Sequence, residues 1–164
     1  MSSSFKLHVL SSLIVAAKSF SSLLDKVFVI NLPNGKSYQL VFLAVNFLHL
    51  TGVKTSLKPK EFYDCCLNAS LLPSDIDCES DPQIKDAVKG KMKNLISIGS
   101  FFSSPLQFQE DFIKGKIFCT LASSNGSCTL GFVKSGFYLR PKTLLNKNRL
   151  NPKSEIFIVT AKIK

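Results

Sequence analysis

The chain has 164 residues, of which 45% are hydrophobic and 20% charged, and this composition excludes a disordered or low-complexity protein. Its length suits one domain with a substantial core, so we predict a single domain over residues 1–164. The formal net charge of +10 predicts an anionic partner, either nucleic acid or an anionic membrane surface. A basic surface that serves only solubility is the alternative.

The five cysteines do not have the spacing of a zinc site, and the adjacent Cys65 and Cys66 cannot easily serve one tetrahedral ion. We therefore predict no bound metal or cofactor and reduced thiols in a cytoplasmic protein. A secreted fold held by disulfides is the weaker alternative.

The N-terminal segment predicts a first helix over residues 5–25, because apolar residues recur at positions 10, 13, 14, 17, 20 and 24. The alternative is a signal peptide with Leu7–Ala17 as its apolar part, but only Lys6 would supply its positive end. No apolar run approaches the roughly 20 residues that span a membrane, so we predict no integral membrane association.

The next segments predict a β-hairpin and two helices. Val27–Leu32 and Ser37–Ala44 are rich in β-formers, and Asn34-Gly35 between them is a type I′ turn signal. The stretch "NFLHLTG" predicts a single turn that ends at Gly52. A short helix follows in residues 57–70, with Pro59 in its first turn, and then an acidic loop whose carboxylates are weak candidates for binding a cation.

The clearest helix begins with Asp81 as N-cap and Pro82 in the first position, and Gly99 is its expected stop. Its expected core face comprises Ile84, Val88, Leu95 and Ile96. On another face, lysines at positions 85, 89 and 93 form either a solvated face or a phosphate-contact surface.

The last third predicts an antiparallel sheet of four strands, formed by the runs 115–124, 128–135, 137–145 and 155–164. Pro141 implies that the third strand is an edge strand or bends there. The fold class is therefore α+β, with N-terminal helices followed by a four-stranded antiparallel sheet.

The most basic segment runs from Tyr138 to Lys153 and contains no acidic residue. Cations contact phosphates, aromatic rings stack on unpaired bases and amides read base edges, so this segment predicts RNA binding. A flexible basic loop is the alternative. The predicted RNA-binding residues are Tyr138, Lys142, Lys147, Arg149 and Lys153.

RNA cleavage without a metal needs a general base, a general acid and cations that stabilise the phosphorane. His49, in the apolar run of "NFLHLTG", suits either proton-transfer role because histidine titrates near neutral pH. A buried, purely structural histidine is the alternative.

Three blocks carry a family resemblance: "LVFLAVNFLHLTGV", "EFYDCCLNASLLPSDI" and "LGFVKSGFYLRPKTLL". They resemble the phage-associated nucleases of the Barnase–EndoU–Colicin E5/D–RelE-like (BECR) fold over roughly residues 36–162. The most specific blocks are 36–53 and 130–145. The resemblance implies a sheet with one RNA-cleaving face, with His49 as acid or base, Lys134 and Arg140 as phosphate ligands, and Thr143 as a hydrogen-bonding or relay group. The second proton-transfer residue stays unassigned.

We therefore predict a metal-independent endoribonuclease of a phage or mobile element, acting as a toxin or effector that an antitoxin or immunity protein neutralises. A non-catalytic RNA- or protein-binding module on the same fold is the alternative. A peripheral protein at an anionic membrane is a third hypothesis.

Overall fold

The computed structural model describes residues 2–164, and these form four helices and ten strands. They divide into a helical unit (residues up to Ser22, with Ala44–Gly99) and a sheet unit (Leu23–Leu43, with Ser100–Lys164). The helices are α1 (Ser4–Ser21), α2 (Phe47–Thr51), α3 (Pro59–Leu67) and α4 (Pro82–Leu95). The strands are β1 (Val27–Asn31), β2 (Ser37–Val41), β3 (Lys54–Thr55), β4 (Ile76–Asp77), β5 (Leu106–Lys114), β6 (Ile117–Ser124), β7 (Cys128–Ser135), β8 (Tyr138–Asn146), β9 (Phe157–Val159) and β10 (Lys162–Ile163).

Helix α1 is the predicted amphipathic helix, but it is shorter than expected. The Ser3 hydroxyl caps it by accepting a hydrogen bond from the Lys6 amide at 3.0 Å. Its buried face comprises Val9, Leu13, Ala16, Ala17 and Phe20. The helix ends at Ser21 rather than at residue 25, because Asp25 has a φ of 60°, a left-handed conformation that an α-helix cannot contain.

The start of α4 is confirmed in detail. The Asp81 carboxylate accepts a hydrogen bond from the Ile84 amide at 2.9 Å, and Pro82 takes the first helical position. The expected stop at Gly99 is wrong, because α4 ends at Leu95 and a separate 3₁₀ turn follows at Ile98–Ser100.

The expected core face of α4 is right only in part. Val88 and Leu95 are buried, but Ile96 lies beyond the helix end and is exposed. Met92 is buried on the same helix instead.

The core of the helical unit is built from aromatic rings. The centroid of the Phe47 ring lies 5.2 Å from that of Phe20 and 5.3 Å from that of Tyr63, and Phe62 packs on its other side. The Tyr63 hydroxyl donates a hydrogen bond to the Ala17 carbonyl at 3.2 Å, which satisfies its polar end inside this core. Helix α2 is thereby fixed by Phe47, two positions before His49.

The prediction of a four-stranded antiparallel sheet is wrong. Eight strands form one mixed sheet in the order β10-β1-β2-β8-β7-β6-β5-β9, and β3 and β4 form a separate pair. Strand β5 was not predicted, and the first hairpin joins the sheet because β2 pairs parallel to β8 at Leu40 and Leu139. These partners lie 99 positions apart, so no local pattern indicates their pairing.

The first hairpin has both predicted strands, although β1 ends one residue early at Asn31 and β2 ends at Val41 rather than at Ala44, and its turn differs from the prediction. The Gly35 amide donates to the Leu32 carbonyl at 3.1 Å, so the turn spans Leu32 to Gly35. Gly35 has a φ of 90°, whereas Asn34 does not have the positive φ that a type I′ turn requires there. Pro33 explains the difference, because its fixed φ suits the second position of a type I turn.

The eight-stranded sheet curls strongly. Three strands separate β2 from β5, which would place them about 19 Å apart in a flat sheet. Nevertheless, the Tyr38 hydroxyl on β2 donates a hydrogen bond to the Glu110 carboxylate on β5. The concave face encloses the rings of Phe28, Phe42, Phe102 and Phe132, and the rings of Phe28 and Phe102 stack 4.3 Å apart.

A β-bulge bends β8 where Pro141 lies. Gly131 pairs with Thr143 but the next residue, Phe132, pairs with Pro141, so Lys142 is an extra residue. The bend predicted from Pro141 is confirmed, whereas the edge position is wrong because β8 lies between β2 and β7.

Candidate functional site

His49 is an exposed residue of α2 in the helical unit. Phe47 and Leu50 are fully buried and anchor the helix, while the imidazole faces solvent. The alternative of a buried structural histidine is therefore wrong. Whether the exposed imidazole transfers a proton stays a prediction.

The residues after His49 fix the end of its helix. The Thr51 hydroxyl donates a hydrogen bond to the Leu48 carbonyl at 2.7 Å and accepts one from the Val53 amide at 3.1 Å. Both bonds stabilise the backbone at the end of α2. Gly52 ends the helix in the left-handed conformation, with a φ of 76°.

Lys91 is a cation beside this segment that sequence reasoning missed. A Cβ atom added to Gly52 would lie 3.0 Å from the Lys91 Cδ, so the lysine stem packs against the end of α2. Burial lowers the pKa of Lys91 below its usual value. A lysine with a lowered pKa can transfer a proton as well as bind an anion. No local sequence pattern connects Lys91 with Gly52, because the two residues lie 39 positions apart.

The two cations predicted to bind phosphate, Lys134 and Arg140, lie on the β7–β8 hairpin of the sheet unit. Lys134 pairs with Leu139, whereas Arg140 pairs with Val133. Residues paired across two strands share a face and neighbours along a strand alternate, so the two cations project from opposite faces. The hairpin does not bring them to one phosphate.

Thr143 lies on the same face as Arg140 because the bulge at Lys142 changes the alternation of β8. Its side chain is only 9% exposed. A Cβ atom on its partner Gly131 would lie 2.9 Å from the Thr143 methyl group and 2.5 Å from the Cys119 sulfur, so Gly131 makes room for both. Burial raises the pKa of the Cys119 thiol, although the nearby Lys142 charge acts in the opposite direction.

The basic segment Tyr138–Lys153 forms β8 and the loop that follows it, and hydrogen bonds hold this loop against the sheet. The Gln109 side chain accepts from the Asn151 amide at 2.9 Å and donates to the Asn151 carbonyl at 2.7 Å. The Asn148 amide group donates to the Gln107 side chain at 2.8 Å. These asparagines serve the protein's own structure, while the charged groups of Lys142, Lys147, Arg149 and Lys153 lie on exposed residues.

A carboxylate network that the sequence did not reveal lies at the open end of the curled sheet. Glu110 accepts hydrogen bonds from the Asn34 amide group at 2.7 Å and from the Tyr38 hydroxyl, and the Lys36 ammonium lies 3.4 Å from it. Burial disfavours the charged form of Glu110, but these partners outweigh burial and lower the pKa of its carboxyl. Burial and the bond to Glu110 raise the pKa of Tyr38.

A cleft of about 420 Å³ opens between β2 and the tip of the β7–β8 hairpin. Lys134 and Tyr138, both predicted from the sequence, line this cleft together. Its other lining residues are Ser37, Tyr38, Gln39, Gly136, Phe137 and Leu139.

The net charge is concentrated in one unit. The sheet unit contains twelve Lys and Arg residues and four Asp and Glu residues, a net charge of +8. The helical unit contains nine Lys and Arg residues and seven Asp and Glu residues, a net charge of +2.

The carboxylates of the acidic loop are not grouped as a metal site: within residues 2–164, no group of three or more His, Cys, Asp or Glu side chains could hold an ion. The five cysteines are free thiols.

A family model described as phage-Barnase-EndoU-ColicinE5/D-RelE like nuclease4 (PBECR4) matches residues 13–162. The chain belongs to the PBECR4 family. This confirms the resemblance and extends it into α1, so that the PBECR4 region includes both His49 and the β7–β8 hairpin. No curated protein and no solved structure matches the chain. Among the described residues, no helix of this PBECR4 protein is long and apolar enough to cross a membrane.

Proposed function

We propose that this PBECR4 protein is a metal-independent endoribonuclease of a phage or mobile element, acting in the cytoplasm as a toxin or effector. Membership of a nuclease family over residues 13–162 carries the proposal. The +8 charge of the sheet unit supports a nucleic acid as substrate. The exposed His49 supports acid–base chemistry without a bound ion.

The proposed reaction is a transesterification. A general base removes the 2′-OH proton, the 2′-oxygen attacks phosphorus, and the bond to the 5′-oxygen breaks as that oxygen takes up a proton. His49 is one of the two proton-transfer groups. Lys134 and Arg140 are the proposed phosphate-binding cations, and because they project from opposite faces of their hairpin they would contact different phosphates. Thr143 is the proposed hydrogen-bonding or relay group, and its burial makes packing the direct alternative.

Cleavage of total RNA in EDTA tests this proposal. The wild type should produce ends with 2′,3′-cyclic phosphate, and His49→Ala should cut about 100-fold more slowly or worse, the usual loss when an acid–base group is removed. His8→Ala is the matched control, because His8 is also exposed but lies on α1. Cleavage by His49→Ala at the wild-type rate would refute the assignment, and loss of wild-type cleavage in EDTA would refute metal independence.

A non-catalytic RNA-binding module is the second candidate. The opposite faces of Lys134 and Arg140 and the burial of Thr143 favour it, because a phosphorane needs several donors at one point. It predicts salt-sensitive RNA binding without new RNA ends, and expression without toxicity.

A toxin would need a neutralising antitoxin or immunity protein, which we expect to be acidic where it covers the basic sheet unit. Co-purification from the native operon should recover such a protein. Toxicity that no neighbouring gene suppresses would argue against it.

A further inference from the structure

We infer that the cleft between β2 and the β7–β8 tip binds one unpaired nucleotide of a single-stranded RNA. This inference rests on the proposed function in taking RNA as the ligand, and it names the form of RNA. Three features of the cleft carry it: a fully exposed aromatic ring, a second ring held in place by hydrogen bonding, and a lysine.

Phe137 supplies the exposed aromatic ring. Ser135 pairs with Tyr138, so Gly136 and Phe137 alone form the hairpin turn. Gly136 has a φ of 66° whereas Phe137 has no positive φ, which is the pattern of a type II′ turn with glycine first. This tight turn holds the Phe137 ring fully in solvent, with a relative exposure of 105%. A single exposed ring needs no explanation by itself, but this one borders a cleft and belongs to a two-residue turn.

Tyr38 supplies the fixed ring on the other side. Its hydroxyl is engaged by Glu110, which is in turn held by Asn34 and Lys36, so the ring has little freedom to move. Leu40 pairs with Leu139, so Tyr38, two residues before Leu40, lies beside the end of β8 from which the turn with Phe137 continues. Both residues line the same cleft, where two aromatic rings can serve as a stacking platform for a base.

Lys134 is the cation of the cleft. It pairs with Leu139, which pairs with Leu40, so Lys134 projects from the same face as Tyr38. Its ammonium can neutralise a phosphate of the bound strand. The volume of about 420 Å³ lies in the range of small-ligand sites, about 300–1,000 Å³. Stacking of this kind needs a base free of its partner strand, so the site selects single-stranded RNA over duplex.

Binding of a fluorescent single-stranded oligonucleotide tests the inference. All its 2′-hydroxyls are methylated, which prevents cleavage, and its anisotropy is measured with the full chain. Phe137→Ala should weaken binding about tenfold, within the effect of losing one stacked base. Lys134→Ala should reduce the slope of log affinity against log salt by about one.

Phe118→Ala is the matched control, since Phe118 is an exposed aromatic residue of β6 outside the cleft. It should bind like the wild type, and Phe137→Ala should keep the wild-type melting temperature because its ring contacts solvent. A 16-base-pair RNA duplex should bind the wild type and Phe137→Ala equally. In addition, 4-thiouridine in the oligonucleotide should crosslink to a peptide containing Phe137 or Tyr138.

Equal single-strand affinities of Phe137→Ala and wild type, or crosslinks that lie only outside the cleft, would overturn the inference. A wild type that binds the oligonucleotide through Phe137 but never cleaves natural RNA would refute the proposed nuclease and support the cleft. The opposite result would be cleavage that depends on His49 but not on Phe137, with Phe137→Ala binding the oligonucleotide like the wild type. That result would support the proposed nuclease and refute the nucleotide site in the cleft.

Discussion

Glu110 connects β5 to the first hairpin, although no local sequence pattern predicts this contact. Its carboxylate is 14% exposed and is held by three residues of the first hairpin. In the sequence it is one carboxylate beside Asp111, and nothing distinguishes the two. His49 is the opposite case, because its type and neighbours singled it out, and the structure added that it is exposed.

Replacing Glu110 with Gln should destabilise the protein by about 1–2 kcal/mol at pH 7, since charge-assisted hydrogen bonds are lost. The pKa of Glu110 is lower in the folded than in the unfolded state, so its contribution is present above the unfolded value of about 4.3. That contribution disappears as the pH falls through the folded value. Urea unfolding of both proteins from pH 7 to pH 3 should therefore show curves that converge below about pH 4.

Asp111→Asn is the matched control for Glu110→Gln. Asp111 is exposed and has a φ of 51°, a conformation that asparagine tolerates well. Its free energy of unfolding should stay near that of the wild type. A stability difference between the wild type and Glu110→Gln that persists unchanged to pH 3 would contradict an ionised Glu110 in the network.

At the scale of elements, the helices were predicted well and the sheet poorly. Helix signals are local: a capping carboxylate, a proline and an apolar period lie within a few turns. Strand β5 was not predicted because five of its nine residues are polar or charged, so the sequence lacks a clear alternation of apolar and polar residues. The turn of the first hairpin was misassigned because Asn34-Gly35 was considered without Pro33.

Asp81→Ala should destabilise the protein by about 1 kcal/mol, because the Ile84 amide then loses its capping acceptor. Chemical denaturation followed by circular dichroism measures the change. Asp86→Ala removes an exposed carboxylate from the second turn of the same helix, where it caps no amide of the described residues, and should have a much smaller effect. Equal effects of the two substitutions would show that lost charge, rather than lost capping, is responsible.

At the scale of the whole molecule, the net positive charge is distributed unevenly between the two units. The net +10 of the sequence becomes +8 in the sheet unit and +2 in the helical unit. This difference favours the basic segment Tyr138–Lys153 over the lysine stripe of α4 as the predicted phosphate surface. Within the stripe, the Lys85 ammonium lies 5.0 Å from the centre of the Phe5 ring, a cation–π contact inside the helical unit.

Two matched charge reversals test which unit binds RNA. Lys142→Glu with Lys153→Glu changes exposed positions of the sheet unit, and Lys89→Glu with Lys93→Glu changes exposed positions of α4. Both variants have the same net charge, but only the first should weaken RNA binding at least tenfold and lower the salt slope by about two. Equal losses would show that RNA responds to net charge alone and would contradict a binding surface in the sheet unit.

The sequence by itself determined the helices, most strands, the basic character and the family, because caps, periodicity, composition and motif blocks are carried by neighbouring residues. Tertiary structure alone decided the eight-stranded sheet, the opposite faces of Lys134 and Arg140, and the network of Glu110. Each depends on strands brought together from distant parts of the chain, or on one extra residue at a bulge that changes the face of every side chain beyond it. Local patterns carry neither kind of information.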